Sequence, residues 1–286
     1  MDILGKRKIW YTISIILIAI GLIFLLINGL NLGIDFNGGT LMEFSFDSAV
    51  SNEQIRSVLE EINIAEDSKI QQSDSAGVHG AIIRAQNLES EEIVQVEEAI
   101  KAEFPTAEML RTEMVGPTIG QELRINALLA MLAASIAIVA YISFRFEFRF
   151  AVVSIITLMH DVLITIGVFA VLGREVNTPF VAALLTIVGY SINDTIVIFD
   201  RIRENMKLMH KVPFIEQANT AVVDTLPRSI NTSLTTLITI LAIYFFGGAS
   251  IQTFMLALFI GMFAGTYSSI FVASPLLVTW QKKLFK

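Results

Sequence analysis

Ionisable side chains stand where apolar sequence should exclude them. Asp194 lies inside the run Pro179–Phe199, next to Asn193 and flanked by Tyr190 and Thr195. An ionised carboxylate at membrane depth costs on the order of 3 kcal/mol unless it is paired, hydrated or neutralised. Asp194 therefore reads as part of an ion or proton path. His160 and Asp161 are neighbours in a second run, Phe150–Leu172, and suggest a relay or a paired structural element. They rank below Asp194, because about ten residues from Phe150 leaves them near an interface. Arg228 precedes a run that opens at Ile230; it either snorkels to lipid phosphates or pairs with Asp194 across the helices. Hydrolytic chemistry finds no support: HExxH and GxSxG are absent, and no second carboxylate lies near Asp194 in sequence. The absence of cysteine excludes disulfides, thiolate chemistry and cysteine-ligated metals. The chain is read as no enzyme, with no metal or cofactor.

The elements that must position these residues are membrane spans. A hydrophobic fraction of 54% against 16% charged residues is a balance that soluble domains of this length rarely show. Six stretches are long and apolar enough to cross: Ile9–Ile27, Ala127–Phe144, Phe150–Leu172, Pro179–Phe199, Ile230–Phe246 and Ile251–Trp280. The first is no cleaved signal, because it exceeds a signal's apolar region and no small-x-small site follows before Asn28-Gly29. In the last, Ala257, Gly261, Gly265 and Ser269 make a small-residue stripe that packing alone explains. Thr232, Thr235, Thr236 and Thr239 line one side of the fifth, where bonding to their own helix and a polar pathway are equally good readings. Pro213–Leu226 predicts a short helix on the membrane surface, leading to Arg228 at the entrance of the fifth span.

Charge sets the expected orientation. Lys6, Arg7 and Lys8, then Arg145 and Arg149, then Arg201, Arg203, Lys207, Lys211 and Arg228, and finally Lys282, Lys283 and Lys286 fall on one side of the spans. The opposite loops carry only Arg174, so both termini are expected in the cytoplasm. The segment from Leu30 to Ile125 is then outside, with 18 acidic against 6 basic residues, which excludes a nucleic-acid module. The chain divides into 1–29, with the first span; 30–125, an outer domain; and 126–286, with five further spans. Within the outer segment Thr40–Phe46 alternates like a strand, Ser51–Ile62 and Glu89–Phe104 have helical periodicity, and Lys69–Gln72, Ala81–Ala85 and Ala107–Val115 are short strand candidates. The order β-α-β-β-α-β predicts a ferredoxin-like two-layer module. Its one histidine, His79, falls in the turn-rich Ser73–Gly80 and reads as a surface side chain.

Four strings resemble the SecF group of the SecD/SecF family, membrane subunits accessory to the bacterial Sec translocase: GIDFNGGT at Gly33–Thr40, LMHDVLITIG at Leu158–Gly167, GYSINDTIVIFDRIREN at Gly189–Asn205 and LPRSINTSLTT at Leu226–Thr236. The order of one span, an outer domain and five spans is also similar. The resemblance implies half of a resistance-nodulation-division-type transporter in the bacterial inner membrane. It implies a separate SecD partner, the Sec translocon channel and a secretory polypeptide as further partners besides membrane lipids, and the proton gradient as energy source. It carries the family's proton-site aspartate onto Asp194 and its arginine onto Arg228. The rival expectations are a small-molecule or lipid exporter of the same superfamily and a structural scaffold of the translocon.

Overall fold

The computed structural model describes residues 1–66, 68–73, 79–145 and 147–284. In chain order the elements are α1 (Arg7–Asn28), β1 (Asn31–Leu32), α2 (Ile34–Asn37), β2 (Gly39–Phe46), α3 (Asn52–Glu61), β3 (Lys69–Gln72), β4 (His79–Ala85), α4 (Ser90–Glu103), β5 (Glu108–Val115), α5 (Pro117–Arg145), α6 (Phe148–Leu172), β6 (Glu175–Val176), α7 (Thr178–Leu208), α8 (Phe214–Phe246), α9 (Ala249–Ser268), a π-helical turn (Ser269–Ala273) and α10 (Ser274–Leu284). Six helical stretches are long and apolar enough to cross a membrane, the last running through α9, the π turn and α10.

Capping chemistry starts the two helices of the α/β module. Ser51 accepts a hydrogen bond from the Gln54 N–H while the Gln54 side chain accepts from the Ser51 N–H, and Glu89 and Glu92 make the same reciprocal box at α4. The strands form one antiparallel sheet in the order β3-β4-β2-β5. With two helices packed on it, this is the ferredoxin-like arrangement. Met42, Phe44 and Ile83 of the sheet meet Ile55, Leu59, Val96 and Ile100 of the helices in its core. Both faces of β2 are covered: Leu41 packs with Ile82 and with Ile34 of α2, on the side away from α3 and α4. His79 opens β4 opposite Phe46, half-buried, and is not a turn residue; residues 74–78 of the expected turn lie outside those described.

In the helical body α6, α7 and α9 lie innermost. Glycine allows the closest approaches: a Cβ on Gly21 of α1 would fall 2.7 Å from the Gly167 Cα of α6, and one on Gly167 would fall 2.8 Å from the Gly21 Cα. In the small-residue stripe of α9, a Cβ on Gly261 would run into Ile187, and one on Gly265 would lie 3.0 Å from the Ser191 Cβ. That stripe is the packing seam between α7 and α9.

The expected surface helix at Pro213–Leu226 is corrected by the structure. It is the first part of α8, a single helix of 33 residues with Pro227 inside it. A proline there removes one backbone hydrogen bond, but burial on both sides of it holds the helix together. Ala218, Ala221 and Val222 pack against Phe199 and Ile202 of α7 and against Ile3 and Leu4, and Ser229 is buried two turns after Val222. The apolar face read as lipid-facing therefore meets protein. Polar contacts close the same corner: Asn219 Oδ1 accepts the Ile3 and Leu4 N–H groups at 2.9 and 3.2 Å, and Gln217 Nε2 donates to the Met209 and Val212 carbonyls at 2.8 and 2.7 Å.

The α1–α6 contact supplies a stability test. Gly21→Leu is expected to lower unfolding stability in detergent by about 1–3 kcal/mol, the usual range for overpacking, whereas Leu26→Ile on the lipid side, 85% exposed, is expected to be silent. Equal unfolding midpoints for both variants would contradict the close approach.

Candidate buried acid and proton site

The helix that carries Asp194 is fixed at its start by the GIDF segment. β1 pairs in parallel with β6, Asn31 opposite Glu175, and the Gly33 N–H donates to the Val176 carbonyl at 2.9 Å. Asp35 Oδ2 then accepts the Thr178 N–H at 2.7 Å, and Asn177 Oδ1 accepts the Phe180 N–H at 3.1 Å. Two free N–H groups of α7 are thereby satisfied, and a carboxylate complements the positive end of the helix dipole. The sequence reading quoted Asp35 only inside a motif and missed this role, because the helix it caps begins more than a hundred residues later in the chain.

Asp161 is wholly buried, at 0% exposure. Its Oδ1 lies 2.9 Å from His160 Nδ1, and its Oδ2 accepts from Ser191 Oγ at 2.5 Å and Ser268 Oγ at 2.9 Å. His160 Nε2 lies 3.1 Å from Ser14 Oγ, the imidazole stacks on Tyr267, and the Tyr267 hydroxyl donates to the Trp10 carbonyl at 3.0 Å. Ser14 Oγ also lies 3.4 Å from the Tyr267 hydroxyl. Its single proton serves either that oxygen or the imidazole. The cluster thus joins α1, α6, α7 and α9 through one carboxylate.

Asp194 is held differently. It is half-buried, its Oδ1 accepts from Ser229 Oγ of α8 at 2.8 Å, and its Oδ2 is buried without a hydrogen-bond partner among the described residues. A buried carboxylate oxygen with no donor is where a proton would be most useful. Arg228 does not form the direct pair considered from sequence. Its side chain is exposed, and no ion pair joins it to Asp194 among the described residues. Helix geometry gives the reason: Ser229 faces α7, and one residue earlier the side chain points about 100° away. Asn193 is likewise exposed on α7.

The five sequence-selected residues therefore fall into a closed cluster at His160 and Asp161 and a more open site at Asp194, with Asn193 and Arg228 on exposed helix faces. The two centres are linked through α7 and α9. Ser191, one turn before Asp194, reaches Asp161, and Thr195 bonds Ser269 at 2.8 Å at the start of the π turn. Thr235, Thr236 and Thr239 bond carbonyls one turn back in their own helix, and with Arg228, Asn231 and Thr232 most of this stripe is exposed. Sequence reasoning missed Ser14, Ser191, Ser229, Ser268 and Tyr267. A serine in an apolar span usually bonds its own helix, so only the folded neighbours reveal it. Among the described residues no group of three or more histidine, aspartate or glutamate side chains could hold a metal ion.

Comparison with known proteins gives a family. The C-terminal model of the protein export membrane proteins SecD/SecF matches residues 95–283, and the SecD/SecF GG motif matches residues 23–50. The chain is 42% identical to the protein translocase subunit SecF of Thermobaculum terrenum, over 100% of this chain and 95% of that one. It is also 42% identical to the SecF of Haemophilus influenzae, over 95% of this chain and 83% of that one. Among solved structures it is similar to SecDF, a translocon-associated membrane protein from Thermus thermophilus, with a TM-score of 0.92 and 40% identity over 99% of this chain and 39% of that one. A structure of SecDF in a super-membrane-facing form, also at 40% identity and covering 100% of this chain and 39% of that one, gives 0.73. The fold is half of a resistance-nodulation-division-type transporter carrying a ferredoxin-like module, and the chain belongs to the SecD/SecF family of protein-export membrane proteins.

Proposed function

We propose that this chain acts with a SecD subunit in the Sec pathway of a bacterial inner membrane, and that Asp194 takes up the protons that drive late steps of polypeptide translocation. The observation that carries the reading is Asp194 itself, held on one oxygen by Ser229 and unpartnered on the other. Protonation there removes a buried charge at the seam between α7 and α8. A proton crossing the membrane supplies about 2.3 kcal/mol per 100 mV, enough to bias a two-state arrangement of helices.

The exposed stripes beside that seam support a protein neighbour. Thr186, Gly189 and Asn193 on α7 and Arg228, Thr232, Thr235 and Thr239 on α8 are exposed in a single chain. Lipid is a poor solvent for an arginine and an asparagine at that depth. A second half-transporter would cover them, and the fused SecDF relatives carry both halves in one chain. The two SecDF structures match this chain at equal identity but unequal TM-score, which supports more than one arrangement of the same parts. In this reading both termini are cytoplasmic, the α/β module lies outside, and the energy source is the gradient, with no cofactor. The module would meet the emerging polypeptide near the translocon channel.

Asp194→Asn keeps the side-chain shape and loses the titratable group. Translocation of a secretory protein into inverted vesicles carrying it with SecD is expected to fall to the level seen when the proton gradient is collapsed, with subunit assembly intact. Wild-type gradient stimulation would remove Asp194 from the proton path.

Arg228→Lys separates an anchoring role from an organising one. Lysine also reaches lipid phosphates, but it does not reproduce the planar guanidinium fork. The substitution is expected to reduce gradient-stimulated translocation severalfold at normal expression. An undiminished rate would return Arg228 to the membrane surface.

A further inference from the structure

The α/β module meets the helical body through the apolar contact of Leu41 and Ile82 with Ile34 and through a few polar groups, among which one charged pair stands out. Arg84 of β4 and Glu175 of β6 form an ion pair with side chains 15% and 8% exposed. β4 belongs to the module, and Glu175 stands two residues before Asn177, which caps α7. The pair is closely held. A Cβ on Gly33 would strike the Glu175 carboxylate, Arg84 Nη1 donates to Gln71 Oε1 at 3.2 Å, and the Arg84 Nε is buried without a hydrogen-bond partner among the described residues. A cavity of about 260 Å³ adjoins it, lined from the module by Arg111 and Glu113 and from the body by Asp35, Arg174 and Tyr244. The other polar bridge nearby, Lys69 Nζ to Asn31 Oδ1 at 3.1 Å, is exposed.

We propose that Arg84 and Glu175 form an electrostatic interlock that seats the α/β module on the root of α7. The inference deepens the export reading, on which it rests only for the use to which module movement is put.

Burial pushes the Glu175 carboxyl above the usual carboxylate range. Arg84 opposes that push, Asp35 adds to it, and Lys69 and Arg111 oppose it more weakly. Burial likewise pushes the Arg84 guanidinium down, against the attraction of Glu175. Each charge is thus costly to bury and is tolerated beside the other. Removing one partner strands the other without compensation, whereas removing both does not. The interlock therefore has two stable conditions: seated with the pair made, or lifted with both charges in water. Because Glu175 shares its short strand with the segment leading to the α7 cap, a shift of that root and a lifting of the module are the same event at this contact.

The natural chain has no cysteine, so spin labels can be placed cleanly at Glu98→Cys on α4 and Phe246→Cys at the end of α8, both exposed. Distances are measured on the full chain in lipid nanodiscs. The otherwise unaltered chain is expected to give one short population. Glu175→Gln and Arg84→Met are each expected to add a longer population, and the double variant to return to the short one. Unchanged distances in both single variants, or a double variant as open as the singles, would overturn the interlock. Should a single variant fail to fold, recovery of folded protein in the double supports the pair, and equal failure of the double overturns it. No export step enters this measurement. Its failure leaves the assignment of Asp194 standing, and failure of the Asp194→Asn assay leaves the interlock standing.

Discussion

Asp161 puts a carboxylate at the centre of the helical body, where no solvent reaches it, and the helices around it stand where its hydrogen bonds require. Donors come from α7 and α9 through Ser191 and Ser268, and His160, which α6 supplies beside Asp161, passes the contact on to Ser14 of α1. In lipid an unsatisfied polar group has no fallback partner. A shift of any one helix by about 1 Å would carry one of these bonds beyond hydrogen-bond range. Glycine makes the geometry attainable, with Gly167 against Gly21 and Gly265 against Ser191 allowing the backbones near enough for short serine side chains to reach across. The small-residue seam and the buried acid are two parts of one solution.

Asp194 lies one turn from Ser191 on α7 and is treated in the opposite way. One donor reaches it, one oxygen is left over, and the neighbouring helix faces are exposed and polar. A fully satisfied carboxylate resists change in its proton count, because every donor around it would have to reorganise. A half-satisfied carboxylate at a seam between two helices does not. The arrangement sets a fully hydrogen-bonded acid that joins the bundle beside a half-satisfied acid at a seam, and α7 carries contacts to both.

Much of this was legible in the sequence, for identifiable reasons. Long apolar runs mark the spans, and the β-α-β-β-α-β order of the module was readable from periodicity. What failed depended on neighbours distant in the chain. Pro213–Leu226 looked like a surface helix because amphipathic periodicity does not say whether the apolar face meets lipid or protein. In the folded chain Phe199, Ile202 and the N-terminal Ile3 and Leu4 cover that face, and the helix continues through the proline. Arg228 was read as a possible partner of Asp194 from charge alone, but the azimuth of α8 presents Ser229 instead.

α7 also explains why a motif near the start of the chain belongs with one near its middle. The GIDF segment caps this helix through Asp35 and Thr178, and it lies against Glu175 through Gly33. The same 31-residue helix then passes Ser191 at the fully bonded acid and Asp194 at the half-satisfied one, and it reaches Asn205, whose side chain donates to the Gln217 carbonyl at 3.1 Å. A hydrogen-bonded helix is stiff along its axis, so under the proposed role of Asp194 a displacement there would be carried to the capped end rather than absorbed on the way. At that end the groups that must respond are charged and lie outside the apolar spans, where water can take over their hydrogen bonds as the contact opens. The two proposals thus fit together: charge would change in the helical body, and the contact that would come apart lies where separation has the smaller penalty.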